Sequence, residues 1–447
     1  MILWLVLAYF LFLVGLSFIS KRFISSEKDY LLAGRSLPLS LSTFALFATW
    51  FGSETILGAS QEFVNGGLLK VIEEPFGAAL CLILAGMFFV KPLYRMNLLT
   101  FADFYKVKYG ENVENIASVF LVISYFGWIA AQFVAFGLIF KTISGLPISL
   151  GIIFAFFVSV LMVYFGGMWA IAITDFIQTI LILLSVFLVF GYLVFSVGGL
   201  DNVLKNIPSD YFKFLPDINI SSISEYILAW IVIGLGSIPG QDLFQRFMSS
   251  KSEKVAVYSS YLAGLMYLSV ALIPLIIAGY SKFSLGFSDN SLLEYINMVD
   301  PILKVLFFFG ILSAILSTSS AAILAPSAII TENILPKVFK TFSKFSAVFI
   351  NRVVVVIIGL ISMLFAFSEE SIYQLVASSS VITLVSLFAP LVFGIYWKKA
   401  SSKGAIYSIL GGFSVWFVLD IIFGYHTAGI LSGFFVNILF MIIFSIR

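Results

Sequence analysis

The sequence predicts an all-α membrane protein of about thirteen transmembrane helices, two of them broken, arranged as a five-plus-five inverted repeat. Three observations carry this. Hydrophobic side chains make up 61% of the 447 residues and charged ones only 11%, against the roughly 25% charged of soluble domains. A water-soluble globule is excluded. Apolar runs long enough to span a bilayer recur from end to end, and two of them are interrupted by glycine, proline and polar residues, five spans apart.

The first run, Ile2 to Ser20, has no basic residue before it and is followed by Lys21 and Arg22. A secretory signal carries its charge in front and a small-residue cleavage site behind, so this run reads as a retained span. Further runs follow at 38–62, 72–93, 115–142, 148–166, 168–197, 225–247, 256–279, 302–326, 350–367, 372–396, 404–423 and 428–446. Together they make one transmembrane domain over 1–447: an extra N-terminal span at 1–20, a first repeat at 38–198, a second at 225–396 and two C-terminal spans within 404–446.

Twenty-five Lys plus Arg against 23 Asp plus Glu give a formal charge of +2, and the basic residues are dispersed, which argues against nucleic acid as a partner. One cysteine, Cys81, and one histidine, His426, leave no disulfide, no Cys-based metal site and no His-rich proton relay. The partners implied are a lipid bilayer and a small-molecule solute, with no obligate protein partner evident. With the N-terminus outside, only Lys70, Lys141, Lys205, Lys213, Lys282 and Lys304 face outward. Cytoplasmic loops retain Lys and Arg, so the C-terminus is expected in the cytoplasm and the chain in the plasma (inner) membrane.

In the second span Ala48, Thr49, Trp50, Phe51, Gly52, Ser53, Glu54 and Thr55 put polar groups, a glycine and an acid at mid-depth, and in the seventh Gly234, Gly236, Pro239 and Gly240 stand close together. Irregular backbone at membrane depth is tolerated only where it is buried in protein or lines a cavity. Both breaks therefore mark a site for an ion or polar solute; a kink or close packing through small residues is the plainer alternative. Five being odd, the two blocks they begin cross the membrane in opposite directions, a secondary-transporter architecture.

The ninth span is dense in hydroxyls from Ser313 to Ser320. Such groups can satisfy themselves on carbonyls four residues back. The sharper reading uses geometry: Ala314, Ser317 and Thr318 share one helix face, and with carbonyls freed near Ala48 and Phe51 they offer five neutral oxygens, better suited to Na⁺ than to a divalent ion. Asp175, in the sixth span, costs about 2.5 to 3.5 kcal/mol at a helix centre if unpaired; it faces protein, water or an ion, or snorkels. Glu73 and Glu74 precede Pro75 and either line an outward vestibule beside Lys70, or Glu74 meets a substrate amine. Trp50, Thr55, Trp128, Gln132, Gly240, Gln241 and Gln374 lie in spans or at breaks, where rings and amides orient a small solute; for Trp128 alone packing is the favoured reading, and Trp50, inside the break, is the better candidate. Arg246 reads as a gate or topology anchor. No nucleophile with a base, phosphate loop or metal centre is found, so no enzyme is expected.

At these residues the chain resembles the sodium:solute symporter family, whose members import sugars, proline, choline, pantothenate or sialic acid on a LeuT-like five-plus-five fold. The motifs are Gly34-Arg35-Ser36-Leu37, Gly166-Gly167-Met168 leading to Thr174-Asp175 and Gln178, Gln241 to Arg246 with Ser249-Ser250-Lys251-Ser252, Ala314 to Thr318 with Thr331-Glu332-Asn333, and Ala389-Pro390 to Trp397-Lys398-Lys399 with Gly404-Ala405. The resemblance implies a principal Na⁺ site at the carbonyls of Ala48, Phe51 and Ala314 and the hydroxyls of Ser317 and Thr318. It also implies a second Na⁺ site at Asp175, Ser317 and Ser320, where a further hydroxyl expected beside Ser320 is Ala321.

Within the family, Ala48 through Gly58 with Ser237 to Gln241 looks most like the high-affinity choline transporter branch, which surrounds a quaternary amine with aromatic rings. Trp50 and Trp128 match that cage, whereas Ala78 and Gly240 stand where rings would be expected and Glu73 and Glu74 add carboxylates. The expected function is sodium-coupled symport of a small organic solute by alternating access, foremost an amino acid such as proline or a related zwitterion. A choline-like quaternary amine is the alternative. From another class, a membrane sensor or channel on the same scaffold is the competitor, though a sensor would append a signalling domain and the chain stops at Arg447 after its last span.

Overall fold

A computed structural model describes residues 2–288, 291–338, 346–367 and 372–446; Arg447 lies outside them. The described residues are helical, and their one β-type contact is an isolated parallel bridge between Leu37 and Ser250. The long segments are α1 (Ile2–Ser20), α2 (Leu39–Trp50), α3 (Ala59–Gly66), α4 (Leu68–Arg95), α5 (Glu111–Ser144), α6 (Ile148–Val197), α7 (Ile220–Gly236), α8 (Gln241–Met248), α9 (Glu253–Leu285), α10 (Pro301–Val338), α11 (Ala347–Phe365), α12 (Ile372–Ser386), α13 (Phe388–Tyr396), α14 (Ser402–Ile422) and α15 (His426–Ile446).

Among the described residues nine helices are long and apolar enough to cross a membrane, and eleven spans result if the bent pairs α7/α8 and α12/α13 each count as one. The expected number is recovered by two further observations. The 50 residues of α6 would extend about 75 Å at 1.5 Å per residue, more than twice the hydrocarbon thickness of about 30 Å, and the helix breaks at Gly167 (φ 49°, ψ −139°). There a Cβ would lie 2.4 Å from the Tyr30 carbonyl oxygen, so both the positive φ and the close approach require glycine. The second is α2 and α3, which form a broken crossing around a π-turn at Glu54–Gly58. The bend of 45° between α12 and α13 is an interruption that the sequence reading did not expect.

Burial sorts the helices. The apolar windows of α5 and α10 are 67% buried, those of α1, α6, α14 and α15 only 22 to 28%, so the former form the centre and the latter turn apolar side chains toward lipid. Lipid tails give no hydrophobic drive for one helix to seek another, so close contact comes from small residues and interhelical hydrogen bonds. The largest contact, α10 on α6, shows both. Ser159 and Ser319 hydroxyls bond at 2.7 Å, and a Cβ on Gly310 would fall 1.9 Å from Ser185 Oγ.

The start of α2 and the end of α8 are tied by backbone. Leu37 N donates to Ser249 O at 3.0 Å and Lys251 N to Leu37 O at 2.9 Å, while Ser250 Oγ donates to Ser42 Oγ at 3.0 Å and Tyr94 hydroxyl to Ser250 O at 2.8 Å.

Because Gly310 sets the α6–α10 spacing, Gly310→Ala should overpack that contact and destabilise the protein by about 1 to 3 kcal/mol. Thermal unfolding in detergent measures this, and Ser185→Gly added to it should restore much of the loss. A Gly310→Ala protein that melts with the wild type would refute the contact.

Candidate ion and solute site

The two breaks meet in the centre of the bundle. After Trp50 the backbone leaves the helix at Phe51 (φ −82°, ψ 74°), which frees polar groups that hydrocarbon cannot satisfy. Side chains from other helices take them. Ser53 N donates to Gln132 Oε1 of α5 at 3.0 Å, Tyr267 hydroxyl of α9 donates to Trp50 O at 2.9 Å, and Thr318 Oγ1 of α10 donates to Ala48 O at 3.3 Å.

The second break bends α7 against α8 by 48°. Thr383 Oγ1 of α12 donates to Gly236 O at 2.5 Å. In the first turn of α8, Asp242 accepts from Trp50 Nε1 at 3.0 Å and from the Tyr125 hydroxyl at 2.5 Å. Its own N–H donates back to Tyr125 at 2.9 Å. The positive end of α8, which would otherwise favour an anion, is thus occupied by the chain's own acid.

Between the breaks lies a cavity with about 520 Å³ of empty space, its open mouth included. Glu54, Glu74 and Asp242 line it with the rings of Trp50, Tyr125 and Trp128 and with Ser124, Ser237, Gly240, Ser379, Ser380 and Thr383. Among these lining residues none is basic. Neutral donors hold each acid: Trp128 Nε1 at 3.1 Å and Gln132 Nε2 at 2.8 Å for Glu54, and Thr55 Oγ1 at 2.7 Å for Glu74, which the Tyr267 hydroxyl also contacts.

Of the residues expected for Na⁺, Thr318 and Ala48 are in contact, and Ser317 Oγ donates to Asp175 Oδ1 at 2.5 Å. Ser320 Oγ donates to Ser317 O at 3.0 Å. Asp175 is fully buried and its Oδ2 has no hydrogen-bond partner, so it faces protein and does not snorkel. Arg246 is likewise buried, donates to Thr49 Oγ1 at 2.9 Å and lies within electrostatic reach of Asp175 and Asp242. It joins α8 to α2 behind the cavity.

Of the residues expected for the solute, Trp50, Glu74, Trp128 and Gly240 line the cavity, while Thr55 and Gln132 stand behind it as donors to its acids. Gln241 is elsewhere: its Oε1 accepts from Phe101 N at 2.6 Å. Gln374 is exposed and not among the lining residues. The sequence reading did not assign Glu54, Tyr125, Asp242 or Tyr267 to the site. Tyr125, Trp128 and Gln132 share one face of α5 by helical spacing, and Asp242 is an in-span acid two residues past Gly240; those were the available signals. Tyr267 had none.

The profile of the sodium:solute symporter family matches residues 30–412. The human high affinity choline transporter 1 is 26% identical over 401 residues, 86% of this chain and 69% of that protein. The Staphylococcus aureus sodium/proline symporter is 25% identical over 440 residues, 91% of this chain and 83% of that protein. In fold, the substrate-bound outward-open state of a Na⁺-coupled sialic acid symporter superposes with a TM-score of 0.81 at 18% identity, covering 99% of this chain and 98% of the other. MhsT in complex with L-phenylalanine does so with a TM-score of 0.59 at 16% identity over 91% and 97%. The broken-helix fold is shared with these transporters, and with the family profile matched over most of its length the chain belongs to the sodium:solute symporter family, as a carrier that uses Na⁺ to drive a small organic solute.

Proposed function

We propose that the solute is a small organic amine that enters as a cation, imported with Na⁺ across the plasma (inner) membrane by a chain whose N-terminus is outside and C-terminus cytoplasmic. One observation carries the reading: three carboxylates and three aromatic rings line the cavity and none of its described lining residues is basic. Rings and carboxylates attract an ammonium or quaternary nitrogen. A proline-like zwitterion shares the amine but needs a partner for its carboxylate. The nearby donors for that partner are taken or opposed: Asp242 stands in the first turn of α8 and Ser53 N donates to Gln132. The choline-like alternative therefore gains weight, and the relatives' names include both chemistries.

Glu74 is the residue assigned to the amine, with Trp50 and Trp128 as ring faces. Ala48, Phe51, Ala314, Ser317 and Thr318 are assigned to the driving Na⁺; the Thr318–Ala48 hydrogen bond already joins two of those ligands across α10 and α2. The residues suit the ion, since hydroxyl and carbonyl oxygens are hard ligands. Asp175, Ser317 and Ser320 are the assignment for a second Na⁺, and the repeats at 38–198 and 225–396 for the two moving halves.

The energetics discriminate the solutes. One Na⁺ crossing about 100 mV contributes roughly 2.3 kcal/mol and a tenfold gradient about 1.4, enough for roughly 500-fold accumulation of a neutral solute. A monovalent cation adds its own charge, for roughly 2 × 10⁴-fold.

Uptake of labelled choline, betaine and proline into proteoliposomes, with and without Na⁺, tests the reading. Saturable Na⁺-dependent uptake of a cationic amine, carrying one more charge per solute than a zwitterion would, is expected; proline uptake unaffected by any cationic amine would overturn it. Ser317→Ala and Thr318→Ala should each raise the Na⁺ concentration giving half-maximal uptake by about 5- to 150-fold, the span of typical coupling energies. Unchanged Na⁺ dependence in both sinks the ion assignment. Glu74→Gln should weaken amine affinity by about tenfold or more, and intact affinity would remove Glu74 from the solute's ligands.

A further inference from the structure

Glu54 is 4% exposed, and its hydrogen-bond partners are neutral: Trp128, Gln132 and, at 3.4 Å, Ser53 Oγ. No salt bridge to it is found among the described residues. A carboxylate buried without a base needs a counter-charge from elsewhere. Asp242 has Arg246 within electrostatic reach, and Glu74 faces the cavity where the proposed amine would lie. Glu54 is left over.

Its two oxygens look different ways. Oε1 accepts from Trp128, a ring of the cavity wall. Oε2 turns toward Gly52, where a Cβ would meet Glu54 Oε2 at 2.6 Å, Thr318 Oγ1 at 2.8 Å and Gln132 Oε1 at 3.0 Å. Three oxygens from α5, α10 and the π-turn after α2 thus converge on one α-carbon. One of them, the Thr318 hydroxyl, also contacts Ala48 O. The space is kept open because residue 52 has no side chain, and lone pairs remain on all three oxygens, since Gln132 Oε1 accepts one bond from Ser53 N.

We propose that Glu54, with Gln132 and Thr318, forms a further ligand set for a hard monovalent cation on the solute side of the sodium site, so that Glu54 serves the ion and Glu74 the solute. This rests on the assignment of Thr318 to Na⁺ made above. The expected site of neutral oxygens thereby acquires a full negative charge. Arg246 is shared by Asp175 and Asp242, so Glu54 and Glu74 are the cavity carboxylates left for one Na⁺ and one amine. An amine bound at Glu54 would instead compete with Na⁺ for the same charge, which opposes symport.

The test is equilibrium binding of radiolabelled Na⁺ to the purified full chain in the absence of any organic solute, followed by choline binding at saturating Na⁺. One charge about 4 Å away changes an affinity by roughly 5-fold in a water-like dielectric and roughly 10³-fold at an effective dielectric of about 20. Glu54→Gln should therefore weaken Na⁺ by about tenfold or more, a larger factor than it takes from choline affinity at saturating Na⁺; Glu74→Gln should show the opposite order. Glu54→Asp, which keeps the charge but withdraws it, should lose a smaller factor, and decides the matter should Glu54→Gln fail to fold. Thr318→Ala combined with Glu54→Gln should lose less than the product of the single losses, as residues sharing one ion do. Wild-type Na⁺ affinity in Glu54→Gln alongside weakened Na⁺ in Thr318→Ala overturns this inference and leaves the ion assignment standing. No effect in either variant overturns the ion assignment itself. Because Na⁺ binding is read without solute, a protein that transports no amine but loses Na⁺ in Glu54→Gln refutes only the proposed solute.

Discussion

Everything at the centre of this protein follows from the cost of a peptide group with no hydrogen bond in hydrocarbon. Two helices stop short at Trp50 and Gly236, and the groups released there must find partners within the bundle. They find them on α5, α9, α10 and α12, through Gln132, Tyr267, Thr318 and Thr383. Those four helices are therefore drawn around the breaks. The cavity is what remains between them, and its wall is made of the same side chains that repair the backbone or their immediate neighbours.

The acids obey a related rule. Glu54, Glu74 and Asp242 would be intolerable in lipid, yet each sits in a ring of neutral donors: indole, phenol, amide or hydroxyl. Such donors stabilise a carboxylate without cancelling its charge. The site can thus hold negative potential in a dry interior and leave it available to mobile cations. Arg246, the one buried guanidinium among the described residues, is placed behind α8 and outside the cavity lining, where it offsets charge without blocking entry.

Sequence reasoning reached the backbone features well and the side-chain partnerships poorly, for a physical reason. Glycine, proline and polar residues inside an apolar run announce a break locally, and the breaks at Ala48–Thr55 and Gly234–Gly240 were legible that way. So were the face shared by Ala314, Ser317 and Thr318 and the long crossing of α6, whose Gly166-Gly167 pair lies between two apolar runs. Partnerships such as Trp50 with Asp242, or Tyr267 with Glu74, join residues 192 and 193 positions apart, and nothing local encodes them. Gln241 and Gln374 show the limit from the other side: amides near a break or in a span look like ligands, while in the structure Gln241 accepts from Phe101 N and Gln374 is exposed.

The backbone bridge between Leu37 and Ser250 bears on how such a carrier can diversify. It ties the start of α2 to the end of α8 largely through main-chain N–H and C=O groups, which every residue but proline possesses in full. A latch built from the chain itself is indifferent to most substitutions around it. The cavity can exchange rings for alanine or glycine, or gain acids, without altering this tie. Recognition and the main-chain tie are thus separable by construction, which gives a single scaffold the freedom to change cargo while its helix ends stay joined.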